Sequence, residues 1–131
     1  GRIMKCSDVF ELAASYIGED AEAVDFAELA RRLPPMLGAV ISEHIPLDKI
    51  LTDGQTPYPA MGQIRDGEDV FPLCDECAVL CALRLGILLI ADENPELASF
   101  LSGEYTRVRS SALSSVSAHR ESIKDMYPGI V

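Results

Sequence analysis

Residues 77–91 constrain this chain more than any other stretch: fifteen positions, CAVLCALRLGILLIA, with one charge, Arg84, at the middle. A membrane span needs about 20 predominantly apolar residues with few or no charges. This run is shorter, and its arginine sits where a span is most apolar. It reads instead as a core helix of a soluble fold, buried on nearly every side. Small residues (Ala78, Cys81, Ala82, Gly86) alternate with large ones (Val79, Leu80, Leu83, Leu85). That mixture lets neighbouring helices approach closely while the large side chains fill the gaps. Arg84 must then reach the surface or an acidic partner. Such a helix needs cover on all sides, from the rest of the chain or from a second subunit.

The same region carries three of the four cysteines. Cys74, Cys77 and Cys81 stand at i, i+3 and i+7, which on a helix places them on one face. With Cys6 as a fourth thiolate they match the ligand number of structural zinc. This defines an alternative reading, a cysteine-ligated zinc interaction or regulatory module built on Cys6, Cys74, Cys77 and Cys81. Against it, there is one C-x-x-C pair, it lies inside a helical pattern, and Cys6 is remote in sequence. Free cysteine packs like a small hydrophobe. The preferred reading makes these thiols core filler, with no metal and no cofactor.

The remaining sequence supplies helices. Val9, Phe10, Leu12, Ala13, Tyr16 and Ile17 share one face, with Ser7 or Asp8 as the expected cap and Gly18 as the stop. Asp25, with Glu28 three residues on, predicts a second helix. Pro34 and Pro35 fall inside its apolar pattern and predict a kink or restart, because proline is tolerated in a helix's first turn but not its interior. Pro46 is expected to end it. Residues 46–70 read as a long turn-rich loop, marked by Asp53 and Gly54, Pro57 and Pro59, and Asp66 and Gly67, with a weak strand candidate at 58–64. Pro72 is expected in the first turn of the central helix, and Asp75 and Glu76 suit the positive end of its dipole. Asn94 and Pro95 open a last helix in which Leu97, Leu101, Tyr105, Val108, Ala112 and Val116 recur every three or four residues. Continuous to Tyr127, it would span about 50 Å at about 1.5 Å per residue, although five serines between 109 and 117 weaken its helical propensity. The expected fold is all-α: a bundle of four to five helices, with the loop at 46–70 and a long C-terminal helix. One domain covers 1–131, with 110–131 an extension or partner-contacting tail.

Charge narrows the function. The chain of 131 residues has a net charge of −10. Residues 1–100 hold 7 basic and 18 acidic side chains, a balance of −11, whereas residues 101–131 hold 4 basic and 3 acidic, a balance of +1. So acidic a body repels phosphate backbones, which argues against sequence-specific nucleic-acid binding. Residues 1–5 lead into an amphipathic pattern rather than a secretory leader, and the expected setting is a reducing cytoplasm with free thiols. Catalytic signatures are thin. Neither G-x-G-x-x-G nor G-x-x-x-x-G-K occurs. Residues 66–69 are too short a cluster for a calcium loop. His44 and His119 lie in different helices, His44 reading as a helix-end residue. A Cys–His pair, or a histidine with Cys74 or an acid, is the enzymatic alternative, and the expectation is no enzyme.

The order of patterns resembles the head–tail connectors, or adaptors, of tailed phages and prophages, which sit beneath the portal. The likeness rests on an opening helix ending in Tyr16, Ile17 and Gly18, and on Ala27, Glu28 and Leu29 leading to His44, Ile45, Pro46 and Leu47. After a turn-rich loop come Val70, Phe71, Pro72 and Leu73 before the apolar helix, then Asn94 to Phe100 with a following Tyr105 among basic residues. It covers residues 5 to about 110. Pro34 with Pro35, the cysteine cluster and the tail after Arg109 depart from the pattern. The resemblance implies a structural protein of virion assembly: a homo-oligomeric ring docked on the portal and receiving a tail component, located in the bacterial cytoplasm during assembly and then in the virion. Residues 52–69 and 109–131 are its expected partner-contacting segments, and an acidic lumen would keep DNA from sticking as it passes.

Overall fold

The computed structural model describes residues 4–18, 26–53 and 69–126, except for the side chains of 26–31 and 117–126. Within them lie four helices: α1 Cys6–Ile17, α2 Phe26–Thr52, α3 Asp75–Ile90 and α4 Pro95–Met126. The fold is an all-α bundle. Among the described residues the one extended pairing is an isolated antiparallel bridge between Lys5 and Val70.

The core is α3, as its composition requires. Cys77, Leu80, Cys81, Ala82, Leu85 and Ile90 are all fully buried. Each leucine taken from water contributes roughly 1.5–3 kcal/mol, so α3 anchors the three helices around it. α1, α2 and α4 each pack on it. Its cover is not complete: Leu88 is 43% exposed. Arg84 does what the sequence requires, lying partly exposed with Nε 3.9 Å from Oε2 of Glu43 on α2. No helix of the described residues is long and apolar enough to cross a membrane.

Gly86 lets the helices close in. A Cβ built there would stand 3.5 Å from Ile17 of α1 and 3.5 Å from Leu101 of α4. A larger residue would force both helices outward, whereas one methyl fits at ordinary contact distance.

Several boundaries differ from the sequence expectation. α2 does not restart at Pro34 and Pro35, nor does it stop at Pro46; all three lie within one helix. Burial beyond each interruption carries it through: Leu37, Val40 and Ile41 are buried after the first, and Leu47 and Asp48 after the second. Tertiary burial outweighs the hydrogen bonds that the prolines forfeit. Residues 46–52 are therefore helix rather than loop, and Asp53 leaves with φ 56°. Residues 54–68, with the strand candidate at 58–64, lie outside the described residues, as does Asp25. α1 starts at Cys6 rather than after Ser7 or Asp8. Asp8 sits at its third position, where Oδ2 accepts the Lys5 N–H at 2.8 Å. Gly18 ends α1 at φ 58°. Pro72 precedes α3 instead of entering its first turn, and Cys74 is the N-cap. Asn94 Oδ1 caps α4 by accepting the Leu97 N–H at 3.1 Å, just before Pro95. The serines do not break α4, which runs 32 residues.

Gly86→Ala is expected to raise the unfolding free energy by about 0.5–1 kcal/mol, since the added methyl has room and glycine costs a helix interior that much. Chemical denaturation of the two proteins checks it.

Candidate functional site

The described polar side chains that are buried are His44 and Asp48, at 3% and 0% exposure. Both stand on α2, one turn apart, on a single face. Burying either group demands partners, and α2 finds them on two different elements. His44 Nδ1 lies 2.7 Å from the Val40 carbonyl, and Nε2 lies 2.6 Å from the Tyr105 hydroxyl of α4. A carbonyl can only accept, so Nδ1 carries a proton; in the neutral ring Nε2 then accepts the Tyr105 O–H. The rings meet edge to face, with centroids 5.7 Å apart. Burial pushes the Tyr105 hydroxyl above the usual phenol range, opposed by the nearby Arg109 charge.

Asp48 ties α2 to the start of α3. Its Oδ1 accepts the Cys74 backbone N–H at 2.8 Å. The carboxylate thus satisfies a donor at a helix start that has no intrahelical partner. The Thr52 hydroxyl donates to the Asp48 carbonyl at 2.8 Å, closing the last turn of α2. The same pole receives the bridge segment, where Cys6 N–H donates to the Asp69 carbonyl and Phe71 N–H to the Met4 carbonyl. The beginnings of α1 and α3 and the end of α2 are joined there.

The cysteines divide. Asp48, Cys74 and Cys77 place one carboxylate oxygen and two sulfurs within 4.8 Å of one another. Cys6 and Cys81 are not of that group, so the structure does not gather the four thiols as one ligand set. All four are free thiols, Cys74 partly exposed and the others buried. As a metal centre the trio offers three donors, one short of the four that structural zinc takes. The Cys77 thiol hydrogen-bonds to Cys74; that bond, then burial, raises its ionisation well above the ordinary cysteine value. Burial does the same for Cys81.

His44 is not the helix-end residue that its position before Pro46 suggested, because α2 continues past it. Its described partner is Tyr105 rather than a cysteine or an acid. The side chain of His119 lies outside the described residues. Two surface depressions, of about 390 Å³ beside Met4, Asp8, Leu12 and Asp75 and about 280 Å³ between Glu76 and the α4 residues around Ser111, include none of these buried groups. Sequence reasoning missed Asp48 and Tyr105 as partners. The available signal was the spacing of His44 and Asp48 by four within an apolar face, which the expected stop at Pro46 hid.

No family model, curated protein or solved structure matches the chain.

Tyr105→Phe leaves the buried Nε2 of His44 without its donor and should cost about 1–3 kcal/mol. A double-mutant cycle with His44→Phe, read by denaturation, should show strong coupling between the two sites. Cys77 and Cys81 keep their protons in the folded protein to higher pH than in the unfolded chain. Their contribution is therefore intact below the unfolded cysteine value of about 8.5 and is lost above it, by about 1.4 kcal/mol per pH unit for each group. Cys81→Ala should make the fall of stability between pH 9 and 10 shallower, in denaturation curves taken across that range.

Proposed function

We propose that the chain is a structural assembly subunit: a phage or prophage head–tail connector that forms a ring with its own copies, docks on a portal and receives the next tail component. The observation that carries the reading is the reach of α4. α4 runs 32 residues to Met126, twice the 16 of α3 on which it packs. At about 1.5 Å per residue it spans about 48 Å, against about 24 Å for α3. α3 is too short to cover α4 along its whole length, and a neighbouring subunit or partner would be its natural cover.

Other features support the same reading. Leu88 and Phe100, 43% and 63% exposed, stand on the two arms of the α3–α4 hairpin and offer apolar contact to a neighbour. Contacts between unlike faces of identical copies close into a ring when the rotation closes. The excess of acid over base in residues 1–100 suits a passage for DNA that must not bind it. His44 and Asp48 use their polar atoms to join helices, a structural employment. The resemblance in the order of sequence patterns adds the connector identity, with assembly in the bacterial cytoplasm and residence in the virion.

Co-expression with a portal protein from the same genome tests the proposal, with affinity capture and electron microscopy as readouts. Full-length chain should co-purify with the portal as ring-shaped particles. A version ending at residue 113 should keep its helical circular dichroism and lose the rings. Failure of the full-length chain to associate, or rings indifferent to the truncation, would overturn it.

A further inference from the structure

We propose that Cys74 and Cys77 form a redox-active dithiol that exchanges with disulfides, Cys74 being the attacking sulfur, Cys77 the resolving one and Asp48 the proton acceptor for Cys77. The inference is independent of the assembly role.

The argument is geometric. The two cysteines are three residues apart across the start of α3, and their sulfurs lie within 4.8 Å of each other and of an Asp48 carboxylate oxygen. Cys74 is the N-cap, with φ −70° and ψ 168°. Its backbone is extended, so its sulfur is not committed to the helical face and has freedom to swing toward Cys77. The pair is asymmetric in access: Cys74 is partly exposed, whereas Cys77 is 0% exposed. An incoming disulfide meets Cys74 first, and Cys77 is reachable only from within the protein. The Cys77 sulfur is close enough to Cys74 for the two to interact directly. Removal of its proton needs an acceptor at hand, and Asp48 is a fully buried carboxylate in reach. Cys6 and Cys81, both 0% exposed, lie outside this trio and act as internal controls. Buried thiols without such surroundings are inert.

The chemistry balances as ordinary thiol–disulfide exchange. The Cys74 thiolate attacks one sulfur of an external disulfide. That S–S bond breaks, one thiolate leaves and takes up from solvent the proton that Cys74 gave to it, and a mixed disulfide joins Cys74 to the other half. Cys77 then passes its proton to the Asp48 carboxylate, and its sulfur attacks Cys74 Sγ. The mixed bond breaks, the second thiolate leaves and takes up the proton, and a Cys74–Cys77 disulfide remains. Two electrons have passed from the dithiol to the external disulfide, which is now two thiols. A dithiol runs the sequence backward.

The full-length reduced protein, treated with oxidised glutathione, acid-quenched and mapped by peptide mass, tests this. A Cys74–Cys77 disulfide should form and be reversed by dithiothreitol, with Cys6 and Cys81 alkylated only after unfolding. Cys77→Ser should accumulate a stable glutathione adduct on Cys74, and Cys74→Ser should give neither adduct nor disulfide. Asp48→Asn keeps an oxygen for the Cys74 N–H but cannot take a proton; the mixed disulfide on Cys74 should then persist on the order of 100-fold longer. Circular dichroism establishes that each variant is folded, and the Cys77→Ser adduct decides the order of attack even if Asp48→Asn is not. The proposal fails if Cys74 in the folded wild type reacts no faster than Cys81, if the bridge formed involves Cys6 or Cys81, or if purified protein carries stoichiometric zinc that shields Cys74 and Cys77.

Discussion

The hydrogen bond from the Cys74 N–H to Asp48 holds together the pole of the bundle where most of the chain's ends meet. A fully buried carboxylate is costly unless it is well paired. Here its partner is a backbone donor that the start of α3 would otherwise leave without a helical acceptor. Each group answers the other's need, and neither can be moved alone. If α2 ended at Pro46, Asp48 would not exist as a helical side chain at that point, and α3 would begin without its carboxylate. The continuation of α2 and the placement of α3 are thus one structural fact.

The second polar contact works one turn away and in another direction. His44 reaches α4 through Tyr105, so a single face of α2 fixes two neighbours by hydrogen bonds while the apolar residues between them supply the burial. Apolar packing is non-directional; the two polar contacts set which turn of α2 faces which neighbour. The same Asp48 that supports the fold stands within reach of both sulfurs, so its structural and chemical uses draw on one carboxylate.

How much of this was legible depended on how local its cause is. The buried character of α3, the reach of Arg84 to an acid, the stop at Gly18 and the opening of α4 at Asn94 and Pro95 follow from composition, capping and proline geometry, and each stands where the sequence puts it. Pro34, Pro35 and Pro46 were misleading because a proline's local penalty is visible in sequence, whereas the burial of Leu37, Leu47 and Asp48 that overrides it is tertiary. The partner of His44 lies 61 residues away, beyond any periodicity. The cysteine spacing did place Cys74 and Cys77 together, but Asp48, 26 residues before Cys74, was hidden in a segment that reads as loop. Cys6 and Cys81 share the core cluster with Cys77 but are not of the trio that Asp48, Cys74 and Cys77 form.

Gly86 has a mechanical consequence. The helices α1 and α4 both close on α3 at this position. From Leu101, which touches that point, to Met126 the helix extends about 38 Å at about 1.5 Å per residue. A tilt of about 3° at the crossing would swing the far end by about 2 Å over that lever arm. Gly86 sets how closely α4 approaches α3 near Leu101, and the contacts of Tyr105, Val108 and Leu113 set its direction beyond.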